Sequence, residues 1–159
     1  KKDGIHRIYS PVSKLRNILE LDSMGFPREE YTLTQSAILT LMGIRQNDDV
    51  DVIVSTELRK QLLGGEAEHI KKGNVEIFSL NRFKFAYFDA QGDDDLIKNY
   101  SKIIDGYNFL QPRFYFARKN KSSERDKRDW EGIYNFKVKE LYKGYPFNVF
   151  TKKEWGFSE

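Results

Sequence analysis

The chain has 159 residues, of which 39% are hydrophobic and 14% aromatic, enough for one domain with a real core. It contains no cysteine, which excludes a disulfide framework and any thiolate metal site. Its 27 basic and 24 acidic residues leave a net charge of only +3, so nucleic acid is not indicated as a partner. No apolar run is long enough for a membrane-spanning helix, and a cytoplasmic location is the simplest expectation. The first residues, Lys1-Lys2-Asp3-Gly4, show neither an initiator Met nor an apolar leader. They read as the start of an excised domain or of a processed product; in the first case a further domain of the longer parent would be a partner.

Ser10-Pro11 has the form of a helix start, a capping hydroxyl followed by proline at the first position. Val12, Leu15, Ile18 and Leu19 follow at helical spacing, and Gly25 and Pro27 end the segment. Residues 1–30 therefore form an N-terminal helical segment. Tyr31–Thr34 reads as a short strand, Ser36–Met42 as a helix stopped by Gly43, and Val50–Val54 as a strand. Ser55 caps a helix that runs through Leu63 to the Gly64-Gly65 break.

Asn74–Leu80 alternates as a strand, and Arg82–Phe88 is another with Phe83, Phe85 and Tyr87 on one face. Gln91-Gly92 reads as a turn and Asp94–Ile104 as a helix, with acids suited to its N-terminal dipole. Asp105-Gly106 is a second turn. Pro112 opens a helix, and Glu124–Tyr142 is the last and longest one. Residues 31–143 form the core. The aromatic tail, residues 144–159, is expected to pack on it. Strands and helices interleave, so the expected class is α/β or α+β, with a small mixed sheet flanked by helices.

The segment richest in chemistry is Asp49-Val50-Asp51-Val52. On an extended strand, residues two apart point to the same face, so both carboxylates converge. Such a pair suits a hard divalent cation, Mg²⁺ or Mn²⁺, and through it a polyphosphate. A solvent-facing strand is the plain alternative, although Val50, Val52 and Val54 fill the opposite face. Asp93-Asp94-Asp95 is read as a cluster of helix-start charges. His6 and His69 have no partner at metal spacing.

Leu33-Thr34-Gln35-Ser36, followed after twelve residues by Asp49-Val50-Asp51-Val52, resembles the signature of the nucleotidyltransferase superfamily of the DNA polymerase β type. The intervening Ala37–Arg45 segment and the later run Arg125-Asp126-Lys127-Arg128-Asp129 are also similar to segments of minimal members. In place of the family's first glycine the chain has Gln35. The resemblance spans about residues 31–142 and implies a nucleotidyltransferase-like fold. It also implies Mg-dependent transfer of a nucleotidyl group from a nucleoside triphosphate, ATP included, to an acceptor hydroxyl by two metals. Asp49, Asp51 and Glu76 would be the catalytic metal ligands, with Glu76 supplied by the strand Asn74–Leu80. Ser36, Gln35, Arg45, Lys119, Arg125 and Lys127 would bind nucleotide or phosphate. The competing readings are a sugar-nucleotide or polyol-phosphate transferase with a metal-binding Asp-x-Asp, and a non-catalytic binding domain of the same fold. The acceptor, the base and the oligomeric state are not legible. The transferase reading requires that Asp49, Asp51 and Glu76 share one face.

Overall fold

A computed structural model describes residues 14–88, 90–142 and 149–157. Seven strands form one mixed sheet: β1 (Tyr31–Thr34), β2 (Val50–Val54), β3 (Glu68–Lys72), β4 (Val75–Leu80), β5 (Phe83–Tyr87), β6 (Ser101–Ile104) and β7 (Tyr107–Leu110). Their order across the sheet is β3-β4-β5-β2-β1-β7-β6. The β2–β5 and β1–β7 pairs are parallel, and the others are antiparallel. The helices are α1 (Ile18–Ser23), α2 (Ser36–Leu41), α3 (Thr56–Leu63), α4 (Ala90–Asn99), α5 (Pro112–Arg118), α6 (Glu124–Tyr142) and α7 (Lys152–Trp155). The mixed α/β class follows directly.

Strand alternation divides the sheet into two chemically different faces. Val50, Val52, Val54, Phe83, Phe85 and Phe78 are buried on one face, in a core shared with α1, α2 and α3. Asp51, Ile53, Lys84 and Ala86 point the other way, because side chains alternate along β2 and β5. That second face is only partly covered. On it α4 and β7 form a small apolar cluster of Ile53, Ile97 and Leu110, with Leu96, Tyr100 and Phe114 packed against it. Burying apolar area at about 25 cal/mol per Å² explains why the first face, with its six large residues, anchors the fold.

Several elements differ from expectation. The exposed strand Glu68–Lys72 was invisible to periodicity, because Glu, His and Lys mask its alternation; it forms by pairing with β4 across the turn at Gly73. The predicted turn at Gln91-Gly92 lies inside α4, which stops at Asn99 instead of reaching Ile104. Ser101–Ile104 and Tyr107–Leu110 make a hairpin around Asp105-Gly106, both at positive φ (51° and 86°). Asp-Gly is a strong two-residue hairpin signal, and here its flanking strands outcompete the helical reading. The expected helix start at Ser10-Pro11 lies outside the described residues.

The tail's described part joins the core: Phe150, Trp155 and Phe157 are buried. Thr151 and Glu154 form a reciprocal capping box that starts α7. Gly132 lets α6 approach the loop after α2, since a Cβ there would lie 2.7 Å from Ile44 Cγ2.

Candidate functional site

The open part of the second face is a cleft of about 1160 Å³. Its floor can be read from the strand registers. Asp51 sits across from Lys84, and Lys84 from Ser79, while Thr34 flanks Asp51 on the other side. Next to that polar row runs an apolar one, Ile53, Ala86, Ile77 and Ile70. Helices α4 and α5 contribute walls, including Asp95, Tyr100, Arg113, Phe114 and Arg118.

Asp49 and Asp51 both line this cleft, so the expected convergence on one face is observed. Burial pushes the Asp51 carboxyl up to about 6, the neighbouring charge of Asp49 adds to the effect, and Lys84 opposes it. Two carboxylates thus share a half-dry recess, where burial and like charge both disfavour full ionisation. Asp49 itself reaches Arg82 at 3.8 Å, a largely exposed partner.

Glu76 is a correction. It pairs in register with Tyr87, and so shares the face of Phe78 and Phe85, opposite to Asp51. There it accepts from Arg59 Nε at 3.1 and 3.2 Å and lies 2.9 Å from His69 Nε2. Burial works to raise its pKa, but these partners outweigh burial and hold it below the usual carboxylate range. The parity of β4 decides the matter: a one-residue shift in register would have placed an acid in the cleft. Lys84 occupies the position beside Asp51 on the neighbouring parallel strand. Among the described residues, no group of three or more His, Asp or Glu is placed to hold a metal ion.

Arg45, Lys119 and Arg125 also take other roles. Arg45 grips Asp129 at 2.7 and 3.0 Å, and Lys119 reaches the same carboxylate at 3.0 Å. Asp129 and Lys119 are nearly fully buried, with side chains 2% and 6% exposed. Burial alone would raise the Asp129 pKa; the hydrogen bonds from Arg45 and Lys119 overcome it and lower the value. Arg125 pairs with Asp48. These ion pairs fasten the loop carrying Asp48 and Asp49 to α5 and α6. The Arg125–Asp129 run therefore braces the carboxylate loop and leaves phosphate contacts to other cations. Lys127 pairs with Glu124 at 3.5 Å, on the exposed side of α6.

Ser36 is buried, and its hydroxyl donates to the Asp49 carbonyl at 3.4 Å. It thus ties the end of β1 to the start of β2. Gln35 lines the cleft with φ 62° and ψ −131°. Glycine enters that region freely, whereas other residues hold it at about 1–3 kcal/mol. The backbone at this turn keeps a glycine's shape although the side chain is not glycine's.

The residues missed in the sequence are the cleft cations Lys72, Lys84, Arg113, Arg118 and Lys153. Among the described residues none has a carboxylate partner within 4 Å. Lys84 could have been found: in Phe83-Lys84-Phe85-Ala86-Tyr87 the alternation puts it opposite the aromatics, on the face of Asp51.

No protein-family model matches the chain. No curated protein and no solved structure matches it either.

Proposed function

We propose that the cleft binds a divalent cation together with the polyphosphate of a nucleoside triphosphate. The observation that supports this most is the meeting, in one cleft, of the Asp49–Asp51 pair with five cations lacking carboxylate partners among the described residues. A polyanion with a bridging cation satisfies both sets at once. The expected Mg²⁺ or Mn²⁺ fits the oxygen donors of Asp49 and Asp51, and when bound it would neutralise charge on a polyphosphate. With Glu76 on the other face, nucleotidyl transfer, which required Asp49, Asp51 and Glu76 together, is not carried forward.

In this reading Lys84, fixed beside Asp51 and 3.3 Å from Ser79 Oγ, meets the phosphate charge that a second ion would otherwise meet. Arg118 on α5 meets the terminal phosphates. The Arg45–Asp129–Lys119 brace keeps Asp49 in place.

This is a domain that binds the ligand without transferring it, the reading that the position of Glu76 favours; transfer would share its binding step. Equilibrium dialysis of radiolabelled nucleoside triphosphates with and without Mg²⁺ tests the shared part. Binding that needs Mg²⁺ and is lost in Asp49→Asn and Asp51→Asn supports it. Mg²⁺-independent or variant-insensitive binding refutes it. Release of pyrophosphate by the wild type, absent in both variants, then separates transfer from binding alone.

A further inference from the structure

The cleft has an aromatic corner beside its ionic row. Tyr100, at the end of α4, and Phe114, on α5, meet edge to face with centroids 5.4 Å apart. The guanidinium of Arg113 lies 4.8 Å from the Phe114 ring centre and 5.8 Å from that of Tyr100. Its Nε donates to Gln111 Oε1 at 2.8 Å, which fixes the plane of the group. Tyr100, Arg113 and Phe114 all line the cleft and are half-buried. Behind them stand Ile53 and Leu110, so the corner is apolar at its base.

A phosphate needs none of this. Rings and a flattened guanidinium offer stacking surface for a base, and the remaining guanidinium N–H groups can donate to ring carbonyls or nitrogens. Taking the polyphosphate reading of the same cleft as its basis, we infer that Tyr100, Phe114 and Arg113 form a nucleobase subsite, so that the ligand is a nucleoside polyphosphate and not a simple polyphosphate. β1 and β7 run parallel side by side, and α5 starts just beyond the end of β7. The subsite and the Asp51 end of β2 therefore lie at the same edge of the sheet, where one molecule can span both.

The test compares Mg²⁺–tripolyphosphate with the four Mg²⁺–nucleoside triphosphates by titration calorimetry on the full chain. The inference expects at least one nucleoside triphosphate to bind ten-fold or more tighter than tripolyphosphate. Arg113→Lys keeps the charge and loses the planar stack, and Phe114→Leu keeps apolar bulk and loses the ring. Each should lower nucleotide affinity at least five-fold and leave tripolyphosphate within two-fold, with thermal melts confirming that the variants fold. Equal affinity for tripolyphosphate and every nucleotide overturns the subsite while leaving the polyphosphate reading standing. Variants that weaken both ligands alike overturn it too. Binding of neither ligand overturns the polyphosphate reading, and the subsite with it.

Discussion

Asp51→Asn should stabilise the protein at neutral pH. The Asp51 carboxyl is pushed from its ordinary 3.8 to about 6, first by burial and then by Asp49. Two units correspond to about 3 kcal/mol at 1.36 kcal/mol per unit. Because the cleft side of the group meets solvent, about 2 kcal/mol is the working figure. The sign follows from proton counts. Between pH 4 and 6 the folded chain holds the Asp51 proton more tightly than the unfolded chain does. Folded stability at this site therefore falls as pH rises through that window, and stays low above it. Asparagine removes the charge at every pH. Thermal melts without divalent ions should show the variant more stable than wild type by about 4–8 °C at pH 7.5. The gap should close towards pH 4, and taking the difference between the two proteins cancels the titrating groups that do not interact with Asp51. Adding Mg²⁺ at pH 7.5 should raise the wild type and leave the variant unmoved. A variant equal to or below wild type at pH 7.5, or a gap that does not change with pH, refutes the reasoning.

Asp129→Ala should destabilise by about 3 kcal/mol, since it leaves Lys119 and Arg45 without their buried partner; urea denaturation measures it. Because the Asp129 pKa is depressed, its stabilising effect is present above the ordinary carboxylate range, and acid titration should lose it as pH falls below about 4. Glu76→Gln should leave Mg²⁺–nucleotide affinity within two-fold; a ten-fold loss in dialysis would return Glu76 to the site. Gln35→Gly should raise the melting temperature by an amount equivalent to about 1 kcal/mol or more, by releasing a strained turn. Gly132→Ala should lower stability by about 1–3 kcal/mol through the clash with Ile44, and calorimetry that shows no loss refutes this.

What the sequence disclosed is mainly what alternation encodes. The β2 carboxylates, the β5 aromatics and the long α6 all follow from residue spacing, and each stands where spacing put it. Glu76 was lost because a strand's own pattern says which residues share a face but not which face its neighbours will take. Only the pairing of β4 with β5 settles that. Arg45 and Lys119 looked like free cations because their partner, Asp129, is 84 and 10 residues away in sequence, a separation that no local pattern reports. The cations of α5 were hidden differently. They stand among the aromatics Phe114, Tyr115 and Phe116, and the helix buries Tyr115 while Arg113, Phe114 and Arg118 line the cleft.

The central claim is most directly tested by a crystal structure with Mn²⁺ and a non-hydrolysable nucleoside triphosphate, read from the anomalous signal. The account predicts one peak bound by Asp49 and Asp51 at about 2.2 Å, with phosphate oxygens on the same ion and Lys84 facing them. A peak elsewhere, or a nucleotide bound away from Asp49 and Asp51, would contradict it.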